Sequence, residues 1–356
     1  MPADDIIGIE PFVPHEVSGE QLEALADLEN AIFAEQRPGD PPRSVAYVRT
    51  RYQSWTHFTD EERRHWWALR GGLPVGHAMT AVRRTGDNPH VMFADLRVAP
   101  QVRRQGVARR LLRCVADAAR SAERRSLVAE VQGREPLADL PGTAFGYAIG
   151  ARPRREEHFN RLAIDDVEPS LLEAWLEQGR RRSPEMQLVW WEGTVPEQDL
   201  EGMAELVSRT SAGEPTDDLD IEPMTFSAAS IRQWMQAMDR EGRQAHIAAA
   251  KHDPSDVLAG YTMMTTDPAN PTVFDQFGTG VLPEFRRRGL GRWLKAAMLQ
   301  RMVRLYPERR EVRTGNADSN AAMLVINRAL GFRPWVASCS WQVSVDDVEA
   351  YLARRS

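Results

Sequence analysis

The chain repeats itself, and that constrains its fold more than any other feature. Val98 and Pro100 precede Arg103, Arg104 and Gly106, and Val281 and Pro283 precede Arg286, Arg287 and Gly289 at the same spacing, an offset of 183 residues (289 − 106). Further on, the pair Glu130-Val131 recurs as Glu311-Val312, AIGARP at Ala148–Pro153 as ALGFRP at Ala329–Pro334, and DDVE at Asp165–Glu168 as Asp346–Glu349, each with an offset of 181 (311 − 130). Upstream, VGHAM ending at Met79 resembles AGYTM ending at Met263. Matches in order and nearly in register indicate a duplicated domain. Residues 1–164 form the first copy, 165–184 a helical linker, VEPSLLEAWLEQGRRR, and 185–356 the second copy. For 356 residues, two domains of ordinary size also agree with the length.

Each copy reads the same way. An opening strand, clear in MQLVWWEG and weaker in IIGIEPFV, precedes helical patterns such as GEQLEALADLENAIF and EQDLEGMAELVSRT. The strands HWWALRG and PVGHAMTAVRR in one copy match QAHIAAAKH and VLAGYTMMTT in the other, and a further strand carries the Val-x-Pro. A glycine motif and a long helix follow, with Val107, Leu111, Val115 and Ala118 on one face, and with Leu290, Leu294, Ala297 and Leu305 less regularly spaced. A strand, a helix and two last strands are expected to close each copy. The order implies a mixed sheet with a strand–loop–helix crossover near its centre.

That crossover has a chemical use. The first N–H groups of a helix lack intrahelical partners and face the preceding loop, and glycine lets the backbone approach a bulky anion. Gly289 and Gly291 stand where strand gives way to helix, as do Gly106 and Ala108. Arg103-x-x-Gly106-x-Ala108 and Arg286-x-x-Gly289-x-Gly291, each after a Val-x-Pro, with the closing NRALGF at Asn327–Phe332, resemble the signature of the GNAT N-acetyltransferases. The resemblance covers both halves, an arrangement of tandem GNAT domains also found in mycothiol synthase. It implies an α/β (α+β) fold, each domain a mixed, mostly antiparallel sheet flanked by helices, and acetyl-CoA as cosubstrate. It also implies that Val281, Arg286, Arg287, Arg288, Gly289, Leu290, Gly291, Arg292 and Asn320 hold the coenzyme, with Val98, Arg103, Arg104, Gln105, Gly106, Val107 and Ala108 as their counterparts.

Acetyl transfer to an amine needs a base and donors for the developing oxyanion. The histone-acetyltransferase branch of the family carries a Glu six residues before the Val. That position is Asp275 in the second copy and Met92 in the first. A carboxylate serves as a base and a thioether does not, although a solvent-facing carboxylate at a strand end fits Asp275 as well. The Asn of the second family motif is Asn320, with Asn316 nearby, and its counterpart is Asp139, ill suited to a polyphosphate. Both points assign chemistry to the second copy. They leave the first either to bind the coenzyme without turnover or to serve as a packing partner. The family's usual Tyr acid falls at Asn327 and Gly146, so the acid has no assignment, with Tyr261 a substitute that reads equally as core.

The function expected is therefore transfer of an acetyl group to the primary amine of a small molecule, with a non-catalytic acyl-CoA sensor or scaffold as the alternative. The acidic stretch EPTDDLDIEP, Glu214–Pro223, reads either as a solvated loop or as a feature attracting a cationic acceptor. A net charge of −6 argues against nucleic acid as a partner, even beside the Arg run. Tryptophans in RRHWWALR and LVWWEG read as core. Cys114 and Cys339 form no disulfide or zinc pattern, and His15, His57, His77 and His158 are scattered, so no metal is expected. With no long apolar run and an acidic start, MPADDIIGIE, the expected setting is the cytoplasm, away from membranes.

Overall fold

The computed structural model describes residues 7–54 and 60–354, and His57 and the first six residues lie outside them. The first copy runs β1 (Ile7–Pro11), α1 (Gly19–Gln36), α2 (Val45–Ser54), β2 (Glu61–Arg70), β3 (Leu73–Arg83), β4 (Val91–Val98), α3 (Val107–Ser121), β5 (Ser126–Gly133), α4 (Pro141–Ala148) and β6 (Arg152–Ala163). Helix α5 (Pro169–Arg182) follows. The second copy runs β7 (Met186–Glu192), α6 (Leu200–Ser211), α7 (Ala228–Arg240), β8 (Gln244–His252), β9 (Val257–Thr266), β10 (Val273–Val281), α8 (Leu290–Leu305), β11 (Glu311–Ala317), α9 (Ala321–Leu330), β12 (Arg333–Ser344) and α10 (Val345–Ala353). One strand closes each copy rather than two. The DDVE repeats begin helical turns, a short 3-10 turn before α5 and the first turn of α10.

Two compact units form, and they do not follow the repeat boundary. The first holds residues 1–156, 216–222 and 336–356, and the second holds 157–215 and 223–335. Each copy's closing strand thus lies in the sheet built by the other copy. The first unit's sheet has the order β1-β2-β3-β4-β5-β12 and the second's β6-β11-β10-β9-β8-β7. β12 runs antiparallel to β5 from Ala337↔Gly133 to Ser344↔Ser126, and β6 runs antiparallel to β11 from Leu162↔Val312 to Glu157↔Ala317.

Side-chain chemistry accounts for the placement of β12. It turns Cys339, Trp341 and Val343 into the first unit's core. The repeat offset puts His158, Asn160 and Leu162 of β6 at those positions, and two of the three are polar. A Trp body buried there is worth about 2–3 kcal/mol that His or Asn cannot replace.

The helices after the closing strands follow them. α10 packs on α3 in the first unit, where Arg120 holds Asp346 and Glu349. α5 packs on α8 in the second, burying Trp175 and Leu176, so the expected linker is core. A side chain at Gly179 would collide with Trp293, which sets how closely these two helices approach. α8 is buried by the sheet on one side and by α5 on the other, so its apolar residues are not confined to one stripe. Leu290, Leu294 and Ala297 are buried as expected, whereas Leu305 is 48% exposed. In α3, all four residues of the expected face are buried.

Candidate active site

In each unit the central parallel pair separates after three residues. β4 pairs with β5 at Val91–Phe93, and β10 pairs with β11 at Val273–Asp275, yet both partners run several residues further. The strand leading to each glycine motif therefore has an edge without a strand partner on that side. Ligands of sheets with crossovers gather at such carboxyl ends.

The loops closing the two openings are nearly superimposable in backbone angle. Arg103 (φ −61, ψ 156) and Arg286 (φ −66, ψ 166) are extended, Arg104 (φ 65) and Arg287 (φ 64) are left-handed, and Gly106 (φ 81) and Gly289 (φ 86) cap the helices. An Arg in the left-handed region at both loops is strained by about 1 kcal/mol. The Nε of Arg103 donates to Val98 O at 3.2 Å and that of Arg286 to Val281 O at 3.1 Å, so the signature arginine pins loop to strand. Neither helix has a side-chain N-cap bond. The first N–H groups of α8, at Leu290, Gly291 and Arg292, consequently face the loop with the positive end of the helix dipole. At Gly291 an added Cβ would meet Ile326 at an ordinary 3.5 Å, and the counterpart is Ala108.

The loops differ in what surrounds them. Glu35 clasps Arg103 with two bonds, at 3.0 and 2.6 Å, and Arg70 donates to Gln105 at 2.5 Å. Among the described residues Arg286 makes no ion pair, and Arg287 is exposed. Arg288 bonds Glu185 at 2.7 Å, and Arg292 lies over the Trp175 ring.

The strands before the loops differ more. β4 pairs with β3 without interruption, from Gly76↔Val98 to Ala81↔Phe93. β10 shifts register against β9 between Gln276 and Thr279, so Phe277 and Gly278 together face Met263. This is a β-bulge, which re-aims backbone groups. The Gln276 amide supports it by donating to Met263 O at 2.8 Å and to Thr262 Oγ1 at 3.0 Å.

His77 faces Trp67 and Arg97 across its neighbours; the counterpart Tyr261 faces Ala249 and Gly280. Asp95, two residues before Arg97, corresponds to Gly278. In the first unit Arg97 binds both Asp95 and Glu29, while Glu29 accepts from Tyr52 at 2.7 Å. His65 Nδ1 lies 3.1 Å from His77 Nε2, and burial, joined for His65 by the charge of His77, pushes both imidazoles down to about 3. The face is filled with large, interlocked side chains. In the second unit a side chain at Gly280 would come within 2.6 Å of Thr210, and one at Gly278 would strike the Tyr261 hydroxyl. Burial, reinforced by Glu214, pushes the Tyr261 phenol up to about 12, so it keeps its proton at neutral pH.

Asp275 lies inside the paired segment, beside Arg313 and Thr265, with Arg243 Nη2 at 3.7 Å. Its side chain is 32% exposed. Asn320 caps α9, its Oδ1 accepting from Met323 N at 3.2 Å, which commits that oxygen to the helix. The acidic stretch, read as a solvated loop or as a feature attracting a cationic acceptor, is divided between the units. Thr216–Glu222 belongs to the first unit, where Leu219 packs on Val91 and Val128 and Asn88 bonds Glu222. Of that stretch, Glu214 is the residue whose charge acts on Tyr261.

Sequence reading missed a buried cation. Lys295 of α8 is 2% exposed and donates to Asn327 Oδ1 at 2.8 Å, and Asn327 Nδ2 donates to Asn316 Oδ1 at 2.6 Å. The signal was available, since Lys295 stands among Leu294, Ala296, Ala297 and Met298 and is one of only two lysines. Among the described residues no group of three or more His, Cys, Asp or Glu could hold a metal, and no helix is long and apolar enough to cross a membrane.

The acetyltransferase (GNAT) family matches residues 22–136 and 208–332, one match in each repeat and together more than half of the chain. Among solved structures, a tandem GNAT protein from the clavulanic acid biosynthesis pathway is 26% identical with a TM-score of 0.75, over 96% of this chain and 99% of that one. A GCN5-related N-acetyltransferase from Sphaerobacter thermophilus is 16% identical with a TM-score of 0.62, over 97% of both chains, and supports the fold. No curated protein matches the chain.

Proposed function

Because the chain belongs to the acetyltransferase (GNAT) family, with two copies of the domain in one polypeptide, we propose that its second unit transfers an acetyl group from acetyl-CoA to the primary amine of a small molecule. One observation carries the choice of unit. The strand ahead of the second loop is bulged and bears Gly278 and Gly280, where the first unit has the ion-paired Asp95 and Arg97.

In this reading the N–H groups of Gly289, Leu290, Gly291 and Arg292 hold the pyrophosphate, and Arg286, Arg287 and Arg288 add positive potential. The Asn320 amide and the backbone beside Val281 engage the rest of the coenzyme. Backbone from Gln276 to Val281 on the side without a β11 partner, turned by the bulge, donates to the thioester oxygen as it gains charge. The amine nitrogen attacks the carbonyl carbon, the C–S bond breaks, and the sulfur leaves as a thiolate that takes up a proton. Tyr261, whose hydroxyl lies beside Gly278, supplies that proton, and Asp275 accepts the amine proton through water. Glu214 contributes negative charge on the Tyr261 side, which favours a cationic acceptor.

Free-thiol release from acetyl-CoA, followed with a panel of small amines, tests the reading. Amine-dependent release supports it; acetyl-CoA binding with no release for any amine supports the sensor instead. Asp275→Asn should lower kcat about tenfold, most strongly below the acceptor's own pKa. Full activity across pH removes Asp275 from the mechanism. The first unit favours a separate reading for itself. Its complete loop and filled strand face suit coenzyme binding without turnover.

A further inference from the structure

Lys295, Asn327 and Asn316 form a chain of hydrogen bonds whose direction is fixed whenever Lys295 carries its proton. A lysine ammonium only donates, so the Asn327 atom at 2.8 Å from Nζ must be the carbonyl oxygen. The Asn327 NH2 group then points onward, and the atom it meets at 2.6 Å must be the Asn316 oxygen. What remains free on Asn316 is its NH2 group, which among the described residues has no protein acceptor. One cation thus sets the orientation of two amides in series.

The chain ends at the opening. β11 pairs with β10 only through Arg313, while β6 accompanies it on the other side to Ala317. Asn316 belongs to the stretch of β11 whose β10 side has no strand partner. By strand alternation its side chain shares the face of Val312, which is packed in the core under α8. Continuing the parallel register from Asp275↔Arg313 puts Asn316 level with Gly278, at the bulge.

The first copy has none of this. Counterparts of Lys295, Asn327 and Asn316 are Leu112, Gly146 and Glu135. Leu112 is 4% exposed in the apolar core, and a side chain at Gly146 would press on Trp341 at 3.1 Å. Three polar residues therefore occur together in the copy assigned the chemistry, whereas the other keeps a polar residue only at Glu135. Burying a lone ammonium is costly, and burial alone pushes Lys295 down to about 7. Apolar residues surround it on α8, so a leucine there, as in the first copy, would be the cheaper solution for packing.

We propose that Lys295 is a positioning residue for acetyl transfer, which orients Asn327 and through it Asn316 so that the Asn316 NH2 group donates to the thioester group in the opening between β10 and β11. The inference rests on the acetyltransferase reading above. The contact strengthens as charge builds on the thioester oxygen or the departing sulfur, so it affects kcat more than coenzyme affinity.

The test uses the full chain carrying Lys295→Met, Asn316→Ala, both together, and Lys251→Met as a surface control. Each single variant of the chain should lower kcat about 10- to 100-fold, with KM for acetyl-CoA within about threefold of wild type. The double variant should be no worse than the worse single one, because the residues act in series. Multiplying effects, a loss confined to KM, or wild-type kcat in Lys295→Met would overturn the proposal. Should Lys295→Met fail to fold, the partly exposed Asn316→Ala carries the same kcat-against-KM test. If the wild-type chain releases no thiol with any amine, the acetyltransferase reading falls on its own. The Asn316 side-chain amide resonances then judge the chain. They should shift when coenzyme A is added to wild type and stay unmoved in Lys295→Met; no shift in wild type, or equal shifts in both, overturns it.

Discussion

The two glycine loops share one backbone shape, down to the left-handed arginine, but they follow strands of opposite character. Ahead of the first loop stand Trp67, His77, Asp95 and Arg97, tied to Glu29 and Tyr52. Their counterparts ahead of the second are Ala249, Tyr261, Gly278 and Gly280, with a bulge. A loop of this shape offers unpartnered helix N–H groups to an anion, and its presence says little about turnover. Backbone groups re-aimed by the bulge, on a strand whose glycines let Tyr261 and Thr210 approach it closely, are what set the second unit apart. Function therefore has to be read from the strand as well as from the loop.

The strongest way to break this comparison is to damage the loops one at a time. Gly289→Glu forces a side chain into φ +86, at a cost of about 1–2 kcal/mol, and puts a carboxylate where the pyrophosphate would bind. Amine-dependent thiol release should fall at least about 1000-fold, whereas Gly106→Glu should leave it within about threefold. The reverse outcome would move the chemistry to the first unit.

A narrower change tests the close packing of α6 on the bulged strand. In Gly280→Ala the new methyl group meets Thr210 at 2.6 Å, so α6 or the strand must yield. We expect kcat to fall about 10- to 100-fold with acetyl-CoA affinity nearly unchanged, since a displacement of this size spoils alignment of the reacting atoms. Gly291→Ala is the matched control, as its methyl group would meet only Ile326 at 3.5 Å and the first copy carries Ala108 there. A silent Gly280→Ala would mean that the packing of α6 on the strand at Gly280 is not what separates the units.

Much of this was legible locally. Positive φ at Gly106 and Gly289, the strand–loop–helix order and the amphipathic face of α3 are written in neighbouring residues, so the repeat and the crossover could be read from sequence. The exchange of β6 and β12 could not, because a strand's pattern fixes its two faces and not the sheet it will join. Trp341 and Cys339 made β12 apolar enough to signal core, but nothing nearby indicates whose core. The place of the acidic stretch was hidden for the same reason: Leu219 anchors it on Val91 and Val128, residues far away in sequence. The bulge depends on a register shift that appears only once Gln276 has found Met263. Lys295 was hidden by the irregular pattern of α8, which exists because α5 covers the helix's second side.

Lys295 also gives the comparison a thermodynamic form. Its value in the folded chain lies at about 7, below the ordinary lysine value that the unfolded chain adopts, and burial is the cause. Between about pH 7 and 10 the unfolded chain therefore binds the extra proton, and stability gained from this residue rises with pH, by about 1.4 kcal/mol per unit at most. Below pH 7 both states are protonated and the full burial penalty is present. Lys295→Met removes the titration, so its stability advantage over wild type should be greatest near pH 6.5 and should shrink steadily toward pH 10. Urea unfolding of both proteins at several pH values measures that difference, which cancels the contribution of every other titrating group. At the counterpart position, Leu112→Met should show a difference from wild type that is flat with pH. A flat difference at position 295 as well would mean that the ammonium is solvated in the folded chain, and the polar series from Lys295 to Asn316 would lose its anchor.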